Sequence, residues 1–196
     1  MSFWDRAWSW NATDEEWMAR YPCDKYIDEP YQQFMRAIDV QAPADVTFRW
    51  VCQIKVAPYS YDLFDNWFRR SPRRLTPGAE KLDVGQKFLV GPIVEFEQNR
   101  HITVVFRSDQ ERGCPPFSLT YEVKHTGPDS SRLVCRAVLT SRKRRDRVRW
   151  FFLAWGDLIM MRKQFLTLKA LAERTACERA ATSPARTGPD ARSLTF

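Results

Sequence analysis

The sequence predicts a single α+β domain: one strand, short helices directly after it, an antiparallel sheet, and one long helix near the C-terminal end. Three observations predict it. Residues 33–41 and 117–125 alternate their side chains with a period of two; Val46, Trp50 and Ile54 recur every four residues just after the first of these stretches; and 148–175 repeats large apolar residues with helical spacing. At 196 residues, 44% hydrophobic and 14% aromatic, the chain can fill one core. Its eight tryptophans imply either a very aromatic interior or aromatic walls around a cavity, since each ring buries about 150–250 Å².

The N-terminal residues open with "TDEE" at 13–16, a capping box with Thr13 as N-cap and Glu16 at the third helical position, so a short helix should run from there and stop before Pro22. Trp4, Trp8 and Trp17 need a surface to cover, which makes residues 1–32 an arm packed on the main domain. The first strand follows at 33–41, with Phe34, Arg36, Ile38 and Val40 on one face and Met35, Ala37 and Asp39 on the other. Pro43 and Asp45 suit the first turn of the next helix, which should end near Pro58. Residues 56–72, "VAPYSYDLFDNWFRRSP", form a second short helix or a structured turn, and "LTPGAEKLDVG" a long loop. Strands are expected at 86–90, 92–98, 102–107, 117–125 and 132–141, punctuated by Gly-Pro, "QNR", "DQERGCPP" and "TGPDSS". In 117–125 one face (Phe117, Leu119, Tyr121, Val123) should be inside and the other wet. The helix at 148–175 would be on the order of 42 Å long, with Phe151, Leu158, Met161, Phe165, Leu168 and Ala172 as its stripe and Phe152, Trp155, Ile159 and Leu166 widening it. Residues 176–196 carry few large apolar groups and form a tail that cannot offset its ordering entropy.

Composition also excludes. Five cysteines with no C-x-x-C and only two histidines indicate neither a disulfide framework nor a zinc site, and fit a reducing cytoplasm. "MSFWDRAWSW" lacks the h-region of a secretory signal, and the longest apolar run, "VRWFFLAWGDLIMM", is too short to cross a bilayer and contains Asp157. The net charge of +7 is clustered, most densely over Arg142–Arg149. That run is either a solvated turn or an attractor for an anionic surface, a ligand's acidic end, or an acidic acyl carrier protein. Nucleic acid is not expected, because no binding motif accompanies the charge.

The order of elements resembles the SRPBCC superfamily, also called START-like, polyketide-cyclase-like or helix-grip. The residues carrying the resemblance are the strand-to-helix entry "RAIDVQAPADVTFRWV", the "LDVGQKF" turn into the sheet, and the long helix, together spanning 33–175. "YPCD" at 21–24, "APYSYDLFDN" at 57–66 and "LTPG" at 75–78 look like an uncharacterised, mainly actinobacterial branch. The resemblance implies a curved antiparallel sheet of about six strands wrapped around the C-terminal helix, with two short helices after the first strand. It further implies a deep apolar cavity between sheet and helix, used by members of the superfamily to bind lipids, steroids or hormones, or to cyclise and dehydrate polyketide chains. None of these uses demands a metal or a cofactor.

Candidate site residues follow. If 56–72 is helical, Tyr61 and Asp65 lie one turn apart and could present a phenol and a carboxylate for proton transfer; alternatively the Asp caps a helix and the rings pack. Tyr59 and Trp67 belong to the same aromatic segment. Tyr121 and Trp155 are expected to line the cavity, or to pack in the core. Asp157 within "FFLAWGDLIMM" is costly to bury alone; it faces solvent, or it points inward with Arg36 of the first strand as counter-ion. Beside it, Gly156 suggests a close approach to the helix or a bend. Two readings stand: a protein that encloses a hydrophobic small molecule of lipid, polyketide or aromatic type, and a cofactor-independent cyclase or dehydratase using Tyr61 and Asp65.

Overall fold

The computed structural model describes residues 7–28, 31–60, 70–89, 91–107, 116–140 and 144–182, with the backbone alone for 144–150. Within these, the chain forms β1 (Ser9–Trp10), α1 (Asp14–Met18), a 3₁₀ turn (Pro22–Tyr26), β2 (Tyr31–Val40) and α2 (Ala44–Cys52). It continues with β3 (Lys87–Phe88), β4 (Gly91–Glu97), β5 (His101–Phe106), β6 (Phe117–Gly127), β7 (Ser130–Thr140) and α3 (Arg144–Thr182). The strands make one curved, unclosed sheet in the order β1-β2-β7-β6-β5-β4-β3. Every pairing is antiparallel except β1 with β2. With α3 lying against β2 and α2, this is an α+β helix-grip arrangement.

Local chemistry explains the element ends. At the start of α1 the Thr13 hydroxyl accepts from the Glu16 N–H at 3.2 Å while Glu16 accepts from the Thr13 N–H at 3.0 Å, the reciprocal box read in the sequence. Pro43 sits one position earlier than expected, as N-cap of α2, whose buried face carries Val46, Trp50 and Val51. At Gly91 a β-carbon would come within 2.7 Å of the Val105 carbonyl oxygen, so only glycine lets β4 lie this close to β5. The second helix expected within 56–72 falls largely on residues 61–69, outside the described residues.

The main core lies between the concave face of the sheet and the helices. Ile38, Val40, Trp50, Ile102, Leu133, Phe165 and Leu168 are buried together there. A smaller core sits on the opposite face, where Tyr21, Cys23 and Ile27 cover Met35, Ala37, Val134 and Val138. This second layer corrects the expectation that one face of β6 is wet. Ser118 and Thr120 are fully buried, because the Ser118 hydroxyl donates to the Cys23 carbonyl at 2.6 Å and the Cys23 N–H donates to the Thr120 hydroxyl at 3.0 Å. Two arginines, Arg136 buried and Arg132 partly so, fasten the same layer: Arg136 pairs with Asp24 at 2.7 Å and Arg132 with Glu16 at 2.6 Å.

The long helix differs from expectation at both ends and in width. It begins at Arg144, so the basic run is helical from there, in keeping with the good helix propensity of arginine, and it continues to Thr182. Residues 142 and 143 lie outside the described residues. Its buried stripe is narrow: Ala154, Phe165, Leu168 and Ala172 are inside, whereas Phe152, Ile159 and Leu166 are 71%, 55% and 44% exposed. A β-carbon on Gly156 would meet nothing within 4 Å, so no close approach explains that glycine, and the helix runs through it.

Burial alone would raise the Glu16 carboxyl, but Arg132 and the Thr13 N–H outweigh it and hold the group below its ordinary value of 4.5. A depressed carboxylate contributes stability that is complete above the unfolded value and is lost as pH falls through the folded one. Amide-exchange protection of residues 14–26 should therefore hold from pH 7 down to about the ordinary carboxylate value of 4.5 and fall as pH drops further, ahead of the central strands, and Glu16→Gln should show reduced protection there already at pH 7 and lack that acid-side drop. Constant protection in the wild type below that value would contradict it.

Candidate functional site

Arg36 is the sixth residue of β2 and shares the face of Phe34, Ile38 and Val40, so strand parity sends a guanidinium into the apolar side of the sheet. Its side chain is 1% exposed. Such a charge needs compensation, and it is gathered from three elements. One terminal nitrogen, Nη1, donates to the Trp8 and Met35 carbonyls, both at 3.0 Å. The other, Nη2, donates to the Ala7 carbonyl at 2.8 Å, to the Ala154 carbonyl of α3 at 3.4 Å, and to Asp157 Oδ2 at 2.9 Å. Among the described residues its Nε–H has no partner.

Asp157 therefore points inward, as the counter-ion reading required. Burial pushes its carboxyl above the usual carboxylate range, with Arg36 pulling back; burial likewise pulls the Arg36 guanidinium down, with Asp157 offsetting. For both partners the cost of leaving water exceeds their mutual attraction, the usual balance for an ion pair in an apolar setting.

Beside this pair lies a cavity of about 610 Å³ between β2, β6 and β7 on one side and α3 and residues 54–60 on the other. Arg36, Tyr121 and Asp157 all line it. Most of the remaining wall is apolar, from Phe34, Ile54, Leu89, Phe117, Leu119 and Met161 among others. The Tyr121 hydroxyl donates to Gln164 Oε1 at 2.8 Å, and Gln164 Nε2 donates to the Pro58 carbonyl at 2.6 Å. Burial raises the Tyr121 phenol well above its ordinary value, so it stays protonated and acts as a hydrogen-bonding group. Lys55 also lines the cavity, but its ammonium donates to the Lys81 carbonyl at 2.7 Å.

The other expected residues are placed differently. Tyr59 is buried with a left-handed backbone (φ 56°), and its ring packs edge-on against Trp50 at 6.1 Å, not among the residues lining this cavity. Trp155 is half-buried against the cluster of Ala7, Phe34, Leu139 and Ala154, because the turn of α3 that aims Asp157 at the cavity turns the neighbouring ring aside. Tyr61, Asp65 and Trp67 lie outside the described residues. Sequence reasoning missed Gln164 and the two carbonyls of the N-terminal segment. A signal for Gln164 existed: Asp157, Met161 and Gln164 stand at i, i+4 and i+7, one helix face bearing two polar groups. No local pattern announces that the Ala7 and Trp8 carbonyls meet Arg36.

Among the described residues, no three His, Cys, Asp or Glu side chains come together as a metal site, and no helix is long and apolar enough to cross a membrane. No protein-family model matches the chain, and no curated protein is significantly similar to it. Solved structures do resemble it. Protein MLL2253 from Mesorhizobium loti is 14% identical, covering 74% of this chain and 98% of its own, with a TM-score of 0.47. A norcoclaurine synthase point mutant from Thalictrum flavum, in complex with a transition-state analogue, is 15% identical over 79% of this chain and 99% of its own, with a TM-score of 0.42. The di-domain ARO/CYC protein StfQ from the steffimycin biosynthetic pathway is 12% identical over 74% of this chain and 47% of its own, with a TM-score of 0.40. At these identities the likeness concerns the fold, and the site is read from its own residues.

Removing one member of a buried pair leaves the other uncompensated, so Arg36→Met should cost about 3 kcal/mol, at the lower end for such pairs because Asp157 keeps contact with the cavity. The double variant Arg36→Met/Asp157→Leu should recover at least about half of that loss. Urea unfolding measures both; an Arg36→Met cost under about 1 kcal/mol would mean the pair does not hold α3 to the sheet.

Proposed function

We propose that this protein encloses a hydrophobic small molecule of lipid, polyketide or aromatic type in the cavity between the sheet and α3. The observation that carries the reading is the cavity itself: about 610 Å³, walled largely by apolar side chains, with a few polar groups converging from β2, β6 and α3. That is the general form of a small-molecule site, in which apolar area supplies affinity and a few polar atoms fix orientation. The space opens to solvent, so its apolar wall stays wet until a guest covers it, and removing that wall from water is what would favour binding.

The cyclase or dehydratase reading draws its acid–base pair from Tyr61 and Asp65, both outside the described residues. Tyr121, held protonated and hydrogen-bonded to Gln164, suits positioning better than proton abstraction. Binding is therefore the function these groups support best. Delivery of the ligand by an acidic acyl carrier protein or from an anionic surface belongs to the same proposal, supported by the basic composition of residues 142–149.

The test fills the cavity. Ala137 lines it from β7, and Ala137→Trp places a large ring where the ligand would lie. Titration with Nile red, a neutral fluorescent probe, should show saturable binding to the wild type and at least about a ten-fold weaker affinity in the variant, with far-UV circular dichroism unchanged. Equal affinities, or no binding to the wild type by Nile red, lipids, polyketides or aromatic acids, would overturn the proposal.

A further inference from the structure

We infer that the ligand is neutral and ends in a hydroxyl or phenol that donates a hydrogen bond to Asp157, and that free carboxylic acids are disfavoured. The inference rests on the binding reading above and narrows it to a ligand class.

The argument is one of charge and of donors. Arg36 presents little surface to the cavity, being 1% exposed, while 36% of the Asp157 side chain is accessible beside it and Asp157 is among the lining residues. Both Nη atoms of Arg36 are committed to carbonyls and to Asp157 Oδ2, and Nε is without accessible surface. What a guest meets at this end of the cavity is therefore a carboxylate oxygen, an acceptor. Among the described lining residues Asp157 is also the only carboxylate, and of the two further cations Lys55 turns its ammonium to the Gly78 and Lys81 carbonyls while Lys87 is solvent-exposed, so neither stands as a desolvated partner beside Asp157.

A ligand carboxylate brought there would face a like charge in a poorly solvated site, with the nearest cation already paired. An amine would satisfy the acceptor but add an uncompensated charge, because Arg36 and Asp157 already neutralise each other. A neutral O–H satisfies the acceptor and buries no net charge. The asymmetry of hydrogen-bond economics then works for specificity: a guest lacking the donor covers the carboxylate and leaves the acceptor capacity that Arg36 does not use unfilled, which costs more than the bond itself contributes.

The experiment compares three ligands with equal ten-carbon chains, 1-decanol, decanoate and decyl methyl ether, as competitors of Nile red on the wild-type protein at pH 8. Decanol should bind at least about ten-fold more tightly than decanoate and several-fold more tightly than the ether, which cannot donate. Asp157→Asn removes the like charge and leaves Arg36 unbalanced, so decanoate should gain about ten-fold in that variant while decanol does not. Decanoate or the ether equalling decanol on the wild type overturns this inference and leaves the binding reading standing, whether or not the variant folds. Failure of all three to displace the probe, or of the probe to bind, overturns both.

Discussion

A guanidinium placed in the apolar interior constrains everything around it. Arg36 arrives there because β2 alternates, and once there it must be surrounded by acceptors: two carbonyls from residues 7 and 8, one from its own strand, one from α3, and the carboxylate of Asp157. Meeting that demand draws together the N-terminal segment, the sheet and the long helix at one point. The Trp8 carbonyl also accepts the Met35 N–H at 2.7 Å, so the same contact sets β1 alongside β2. An apolar side chain at this position would fold with fewer requirements; the ion pair instead specifies one arrangement, at a desolvation cost that both partners register.

The cavity is a consequence of how α3 is held. Further along the helix, Phe165, Leu168 and Ala172 pack fully into the main core with α2 and the strands. Near Asp157 the helix is tied by polar contacts, and the space between is bridged by Tyr121, Gln164 and the Pro58 carbonyl in place of close-packed rings. The apolar residues that would have thickened the stripe, Phe152, Ile159 and Leu166, turn outward. Helix and sheet are thus joined firmly at two places and kept apart between them, where the 610 Å³ lies.

Much of this architecture is written locally. The period of two at 33–41 and 117–125, the capping box at Thr13, and the parity that pairs Arg36 with Ile38 and Val40 each depend on a few neighbouring residues, and each appears in the structure. What escapes the sequence is set by long-range contacts. Ser118 and Thr120 read as a wet face because nothing nearby reveals that Cys23, almost a hundred residues away, will cover them. Leucines and aromatics on α3 read as buried because hydrophobic residues usually are, yet a long helix offers more apolar surface than the sheet can cover. At the site, Arg36 and Asp157 are legible as charges set among apolar residues, and Tyr121 as an aromatic on the inward face of its strand. Gln164 left only a faint trace, its i+7 spacing from Asp157, because its role exists only through Tyr121 and the Pro58 carbonyl.

The central claim is that the space beside the Arg36–Asp157 pair holds a guest. Native mass spectrometry of the protein purified from its own host measures this most directly. The account predicts a protein ion carrying an additional non-covalent mass, released on collisional activation and recovered as a neutral molecule in an organic extract. A bare protein mass in every preparation, under conditions gentle enough to keep other lipid complexes intact, would contradict it.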